Sequence, residues 1–299
     1  MSVGRTLAAE ARVSGVGLFT AQPATVAILP ASPGEGWSLS CGAGRVAVTV
    51  ASLASKPLVP IFERVPPRHT CIDAGNTRLA TIEHLVSALA GLGVTDARIA
   101  CDGPEVPILD GSSEPFVRAI LDAGIVERGE VDERVIAEPI RVTDANGGGV
   151  IDVHPREKPG CSFTYRLSYP PGAPIPAQSA SWDGTPETYA KEVSPARTYC
   201  LEQEAAQMRA LGLFGHLTPR DMLVIGSNGP IENVLRFPDE PARHKLLDLI
   251  GDLALATGGA PIRADIVASR SGHALAHEAA RRIAAMARAD APGCRHQKS

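Results

Sequence analysis

The chain has 299 residues, 44% hydrophobic and 21% charged, which rules out a disordered polymer and is enough for two cores of about 150 residues each. Twenty-nine Lys and Arg against 33 Asp and Glu give a formal charge of -4, with no basic cluster dense enough to neutralise a row of phosphates. That argues against a dedicated nucleic-acid binder. The opening MSVGRTLAAEARVSGVGLF lacks the basic start, apolar run and cleavage site of a signal peptide, and no run of about 18 apolar residues follows, so a cytoplasmic protein without stable membrane insertion is expected.

Residues 1 to 62 read as sheet, in short β segments (VGLFTAQPATVAILPA, then GRVAVTVASL) separated by a Gly- and Pro-rich loop from Ser32 to Gly36. At Thr81 the period changes. TIEHLVSALAGLG puts Leu85, Ala88, Leu89 and Leu92 at helical spacing, with Thr81 as N-cap and Gly91 and Gly93 as stops. The strand DARIACDG, the turn-rich PEVPILDGSSEP and the helix PFVRAILDAG follow, and the charged ERGEVDER from Glu127 to Arg134 reads as a linker. A division into 1–130 and 131–299 is therefore expected.

The second half repeats the order. IAEPIRVTD, GGGVIDVHP and SFTYRLSYP read as strands and LEQEAAQMRALG as a helix. RHKLLDLIGDLAL, the strand IRADIVAS and the helix ALAHEAARRIAAMARA complete the chain. In each half a helix with a histidine in its first turn (His84, His244) leads to a strand, a Gly-containing loop and a last helix, the pattern of a duplication.

The six cysteines (41, 71, 101, 161, 200, 294) are scattered singly with no CxxC spacing, so they read as reduced and mostly buried. At 4% aromatic, a stacking platform is improbable and chemistry falls to His, Asp and Glu.

His244, Asp248 and Asp252 in DEPARHKLLDLIGD are each four residues apart and share one helix face, with Asp239 placed to cap and Pro241 in the first turn. An imidazole and a carboxylate at i and i+4 can both reach a metal ion, although chance alone supplies about half an HxxxD match in a chain this long. His84 would complete two nitrogens and one oxygen, the open set of a catalytic metal site. Glu83 beside it would be the base, against the plainer reading of an acid favoured at a helix start. In SRSGHALAH, Gly272 delivers His273 to the start of the last helix, where Asp252 could keep it charged. His277 makes an HxxxH pair with it but reads as a surface residue.

Taken together, SGVGLFTA, TIEHLVSALAGLGVTDARI, DGPEVPILDGSSEPF, SPARTYCL, LRFPDEPARHKLLDLIGDLAL and SGHALAH resemble the UDP-3-O-acyl-N-acetylglucosamine deacetylase family, zinc enzymes of the committed step in lipid A synthesis. The resemblance implies an α+β fold of two similar α/β sandwiches, with helices packed between two outer sheets and the site between domains. It implies metal ligands at His84, His244 and Asp248, the general base at Glu83, and a second catalytic histidine at His273 oriented by Asp252. Thr198 would be the oxyanion-side hydroxyl and Lys245 would meet the nucleotide diphosphate. Met208, Leu213 and Phe214 would line an apolar passage for the acyl chain.

The implied reaction is metal-assisted hydrolysis of the acetamide: water deprotonated by Glu83 attacks, and His273 protonates the departing amine. Zinc is the implied metal, iron(II) also suits the donors, and the family implies a monomer. The chain departs from the family pattern at Phe19, where a histidine is usual, and at Pro238, Pro241 and Ala276; none removes a catalytic group. The rival readings are a non-catalytic sugar-nucleotide binder and a metal amidohydrolase with another N-acyl substrate.

Overall fold

The computed structural model describes residues 2–289 apart from 42–43, 65–67, 76 and 146–147; Gly147, Cys294 and the side chain of Cys41 lie outside the described residues. The elements of the first half are β1 (Ser2–Leu7), β2 (Ala11–Val16), β3 (Pro23–Pro30), β4 (Trp37–Cys41), β5 (Gly44–Ala47), β6 (Cys71–Ala74), β7 (Thr77–Ala80), α1 (Glu83–Gly91), β8 (Ala97–Cys101), α2 (Glu114–Ala123) and β9 (Ile125–Val131). The second half runs through β10 (Arg134–Val135), β11 (Ile140–Thr143), β12 (Val150–His154), β13 (Cys161–Leu167), β14 (Gln178–Trp182), the short α3 (Pro186–Thr188), β15 (Tyr199–Leu201) and α4 (Glu202–Ala210). It ends with β16 (Leu223–Gly226), β17 (Gly229–Pro230), α5 (Glu240–Ala254), β18 (Ile262–Ser269) and α6 (His273–Ala289).

The two main sheets have one topology. In the first, of order β2-β3-β8-β4-β5, Ile99 of β8 pairs antiparallel with Ile28 and parallel with Leu39. In the second, of order β11-β12-β18-β13-β14, Ile266 of β18 pairs antiparallel with Val153 and parallel with Phe163. Each central strand follows a helix and precedes another, so the rhyme in the sequence is a rhyme of architecture. On β18 the alternation of apolar and polar residues buries Ile262, Ala264, Ile266 and Ala268 on one face, as a period of two requires.

The helices lie between the sheets. Helix α5 packs on β13, β14, α1 and α6, while α6 covers β11 and α2 covers β2. Being surrounded, α5 is apolar on almost every side (Leu246, Leu247, Leu249, Ile250, Leu253), and α1 is buried along nearly its whole length. A polar side chain on either helix therefore needs a partner inside the protein. The architecture is the expected α+β one.

Several local expectations fail. ERGEVDER is no linker: most of it is β9, paired antiparallel with β1 (Leu7↔Ile125, Ser2↔Val131). Its charges hid a strand none of whose residues is buried. In VGLFTAQPATVAILPA only Val16, the end of β2, and Pro23–Pro30 are strand, because Gly17 to Gln22 fold into a turn closed by Gly17 N–H to Gln22 O (2.9 Å), with Ala21 at φ 55°. Thr81 is not the N-cap; Ile82 is, and Thr81 at φ 58° donates its hydroxyl to Glu105. Asp239 is the N-cap of α5 but its carboxylate accepts from Arg243 Nε (2.7 Å) and not from the helix. Of the described cysteines, all free, only Cys71 is buried and Cys101, Cys161 and Cys200 are half-buried.

Candidate active site

Close packing of α1 on α5 brings the site together. Gly251 leaves room for the Glu83 backbone, and Ser87 Oγ donates to Leu247 O (2.8 Å) while accepting from Tyr189 OH (2.7 Å). Ser113 Oγ donates to His84 O (2.8 Å), tying the start of α1 to the segment before α2. These contacts bring the His84 and His244 rings to 5.0 Å between centroids.

His84 Nε2 lies 3.6 Å and His244 Nε2 3.4 Å from Asp248 Oδ1, and candidate ligand atoms of the three side chains lie within 4.8 Å of one another. His244 Nδ1 faces the Ala196 carbonyl (3.1 Å), which can only accept. Nδ1 therefore carries the proton and Nε2 presents its lone pair to the cluster. Burial, opposed by the charge of Asp248, lowers the His244 pKa to about 3, so the ring is neutral. Asp248 is held well below the ordinary carboxylate range: burial opposes its charge, but the charges of Lys245 and His273 among its neighbours outweigh it. Asp248 Oδ1 nonetheless accepts no hydrogen bond, although buried. An unpaired carboxylate oxygen facing a nitrogen lone pair is repulsive as it stands and becomes favourable around a cation, so the donor set fits a divalent metal.

Glu83 stands one residue before His84, fully buried, and accepts from Thr70 N–H (3.0 Å). Its pKa is raised by burial, only partly offset by the charge of His273. His273 opens α6, and its Nδ1 bonds Asp252 Oδ2 at 2.7 Å. Burial would lower the His273 pKa, but Asp252, with help from Asp248 and Glu83, raises it to about 9. The pair thus has a carboxylate made more basic and an imidazole kept charged, which suits proton acceptance by one and donation by the other.

A cavity of about 390 Å³ joins these groups. Glu83, His84, His244, Lys245, Asp248, His273 and Thr198 line its polar part; Leu18, Phe19, Ile108, Met208, Phe214 and Met222 line the apolar part. Met208 and Phe214 belong to a separate apolar cluster with Leu18, Phe62, Ile108 and Met222. Leu213 packs against that cluster without lining the cavity. Lys245 Nζ donates to Asp248 Oδ2 (2.7 Å), and that carboxylate, against the opposing effect of burial, raises the ammonium pKa and keeps it charged. Thr198 N–H is held by Gly111 O (2.7 Å).

His277 is not a surface residue. It is buried, with Nε2 2.9 Å from Thr70 Oγ1 and 3.4 Å from Asp252 Oδ1, so the HxxxH pair has Asp252 as a third group. The sequence reading also passed over three buried anchors. Thr70 bonds both Glu83 and Asp252. Glu105 accepts from Thr81 Oγ1 (2.8 Å), Thr20 N (2.9 Å) and Thr20 Oγ1 (2.8 Å). Glu240 holds Arg197 Nε at 2.8 Å, next to Thr198. Glu105, Arg197 and Glu240 sit inside the motifs quoted above, but spacing alone gave them no partner.

Among the described residues no helix is long and apolar enough to cross a membrane. The family model for UDP-3-O-acyl N-acetylglycosamine deacetylase matches residues 4–285. Proteins named UDP-3-O-acyl-N-acetylglucosamine deacetylase are similar along most of the chain. One from Trichormus variabilis is 37% identical over 292 residues, covering 94% of this chain and 98% of its own. One from Anaeromyxobacter sp. is 34% identical over 292 residues, covering 97% and 90%. One from Chlamydia abortus is 34% identical over 273 residues, covering 90% and 92%. With the buried His84–His244–Asp248 cluster at the centre of its cavity, the chain belongs to the UDP-3-O-acyl N-acetylglycosamine deacetylase family, a family of metalloenzymes.

Proposed function

We propose that this chain hydrolyses the acetamide of UDP-3-O-acyl-N-acetylglucosamine, releasing acetate and the free amine, as a step of lipid A biosynthesis. Zinc would be held by His84, His244 and Asp248. The observation that carries this is the unpartnered buried Oδ1 of Asp248 between two imidazoles, in a cavity that also holds an acid–base pair. Bound there, zinc supplies Lewis-acid polarisation and a lowered pKa for water.

The residues themselves do the rest. Glu83, its basicity raised by burial, takes the proton of the attacking water as oxygen bonds to the acetyl carbon. His273, kept protonated by Asp252, faces the developing oxyanion with Thr198 and then gives its proton to the nitrogen as the carbon–nitrogen bond breaks. Lys245 is the charge offered to the nucleotide diphosphate. The apolar part of the cavity, with Met208 and Phe214 and with Leu213 behind them, takes the acyl chain. The repeated sheet topology supports a division into 1–130 and 131–299, and we extend the reading to a cytoplasmic monomer.

The test is acetate release from UDP-3-O-acyl-N-acetylglucosamine by purified protein, with and without a chelator, beside Glu83→Ala. Release that the chelator stops, zinc restores and the variant lacks is expected. No release from folded, metal-loaded protein would overturn the reading.

A further inference from the structure

We propose that Thr70 is a positioning residue which, oriented by His277, fixes the base and the acid relative to each other. The proposal rests on the deacetylase reading above. Thr70 is fully buried immediately before β6, and each of its polar groups is committed. Its N–H donates to Glu83 Oε2 (3.0 Å), its carbonyl accepts from Ile82 N–H (3.3 Å) at the start of α1, and its hydroxyl bonds Asp252 Oδ1 (2.6 Å). The other oxygen of Asp252 accepts from His273 Nδ1–H (2.7 Å). Glu83, Thr70, Asp252 and His273 thus form one connected path, and a residue from the first half of the chain links a base on α1 to an acid on α6.

The direction of each bond follows from counting protons. An ionised carboxylate only accepts, so the single hydroxyl proton of Thr70 points at Asp252. The hydroxyl oxygen then offers a lone pair to His277 Nε2, 2.9 Å away, and that nitrogen must carry a hydrogen. His277, held in α6, thereby blocks rotation of the hydroxyl away from Asp252. The same nitrogen lies 3.4 Å from Asp252 Oδ1, a second acceptor, so both of its neighbours call for a hydrogen on Nε2. The geometry makes Thr70 the common anchor of two groups whose separation must match a scissile amide, and a misplacement of about 1 Å costs on the order of 100-fold in rate.

The experiment compares wild type, Thr70→Ser and Thr70→Val for kcat, KM and bound zinc, with side-chain ¹H–¹⁵N spectra of the histidines. Thr70→Val is expected to lower kcat roughly 10- to 100-fold with KM within about threefold and zinc content unchanged, while Thr70→Ser returns kcat to within about threefold of wild type. Equal losses in both variants, or a kcat in Thr70→Val equal to wild type, would overturn the proposal. Wild-type spectra are expected to show His277 protonated at Nε2, whether or not Thr70→Val folds; a ring protonated at Nδ1 alone would refute the network. Failure of wild type to release acetate would sink the deacetylase reading instead, with the spectra still reporting on the network.

Discussion

The backbone carbonyl oxygen of Glu83 occupies the space a side chain would take at Gly251: a Cβ built there falls 2.4 Å from it and 3.2 Å from Ser87 Cβ. Two helices approach this closely only where one has no side chain, and His84 and Asp248 project from the two sides of the contact. Gly251→Ala would gain about 1 kcal/mol of helix propensity on an isolated helix. Here it must push backbone, and we expect a net loss of about 1–3 kcal/mol. The denaturant midpoint should fall and zinc retention with it; a midpoint equal to or above wild type would show that α1 and α5 can separate without penalty.

Metal retention tests the cluster directly. His244 is neutral above about pH 4 because burial lowers its pKa to about 3, and Asp248 is ionised, so protons do not compete with a cation at these two ligands near neutrality. Asp248→Ala should lose metal beyond the roughly 10–100-fold typical of removing a group that only supports a ligand. The measurement is the zinc-to-protein ratio after dialysis; a ratio unchanged from wild type would remove Asp248 from the ligand set.

The pH profile of kcat/KM should be bell-shaped. His273 must be protonated to donate, and with a pKa of about 9 it is competent below that value and loses activity as the pH rises through it. Glu83 must be ionised, and its raised pKa puts the acid limb above the ordinary carboxylate range. Asp252→Asn removes the charge that opposes the burial of His273, so the basic limb should move to lower pH. His273→Ala should flatten that limb with zinc content unchanged, and loss of metal in this variant would mean its role is misassigned.

How much of this was legible in the sequence depended on whether partners were local. His244, Asp248 and Asp252 share a helix face by spacing, and His84 beside Glu83 stood out as polar on an apolar helix. Thr70, Glu105 and Glu240 were invisible because each is an ordinary residue type. Their importance lies in partners far along the chain: Thr70 with Asp252 and His277, Glu105 with Thr20, Glu240 with Arg197. For the same reason β9 read as a linker, since its partner is the first strand of the chain.

Phe19 offers a test of the acyl end. This ring packs edge-on against Phe62 (5.2 Å between centroids) and tilted against His69 (4.7 Å) and Phe214 (5.8 Å). Burial and the nearby His273 lower the His69 pKa to about 4, so the ring behind Phe19 is neutral. Phe19→Ala opens the apolar part of the cavity. Each methylene newly buried is worth about 0.8 kcal/mol, roughly fourfold in kcat/KM, so preference should shift toward longer acyl chains by about that factor per added methylene. An unchanged preference across a series of acyl lengths would exclude Phe19 from the passage.

Glu240 carries the largest expected structural penalty. Fully buried at the first position of α5, it accepts from Arg197 N (3.0 Å), Arg197 Nε (2.8 Å) and Arg236 N (2.7 Å), and Arg197 Nη2 lies 3.1 Å from its second oxygen. Replacing the pair with well-packed apolar residues could be neutral, but removing Glu240 alone leaves a buried guanidinium without its counter-charge, held only by Asn233 Oδ1 (2.9 Å) and Val234 O (2.6 Å), and two backbone N–H groups without their acceptor. Glu240→Ala should therefore lose about 3–5 kcal/mol. Arg197 precedes Thr198, and Ala196 O receives His244 Nδ1–H, so the damage should reach the site. Glu240→Gln keeps an acceptor oxygen and should recover part of the stability. Calorimetry with zinc analysis of both variants decides the point: loss of stability without loss of zinc would confine Glu240 to the fold, and loss of both would make it the brace that holds His244 to the cluster.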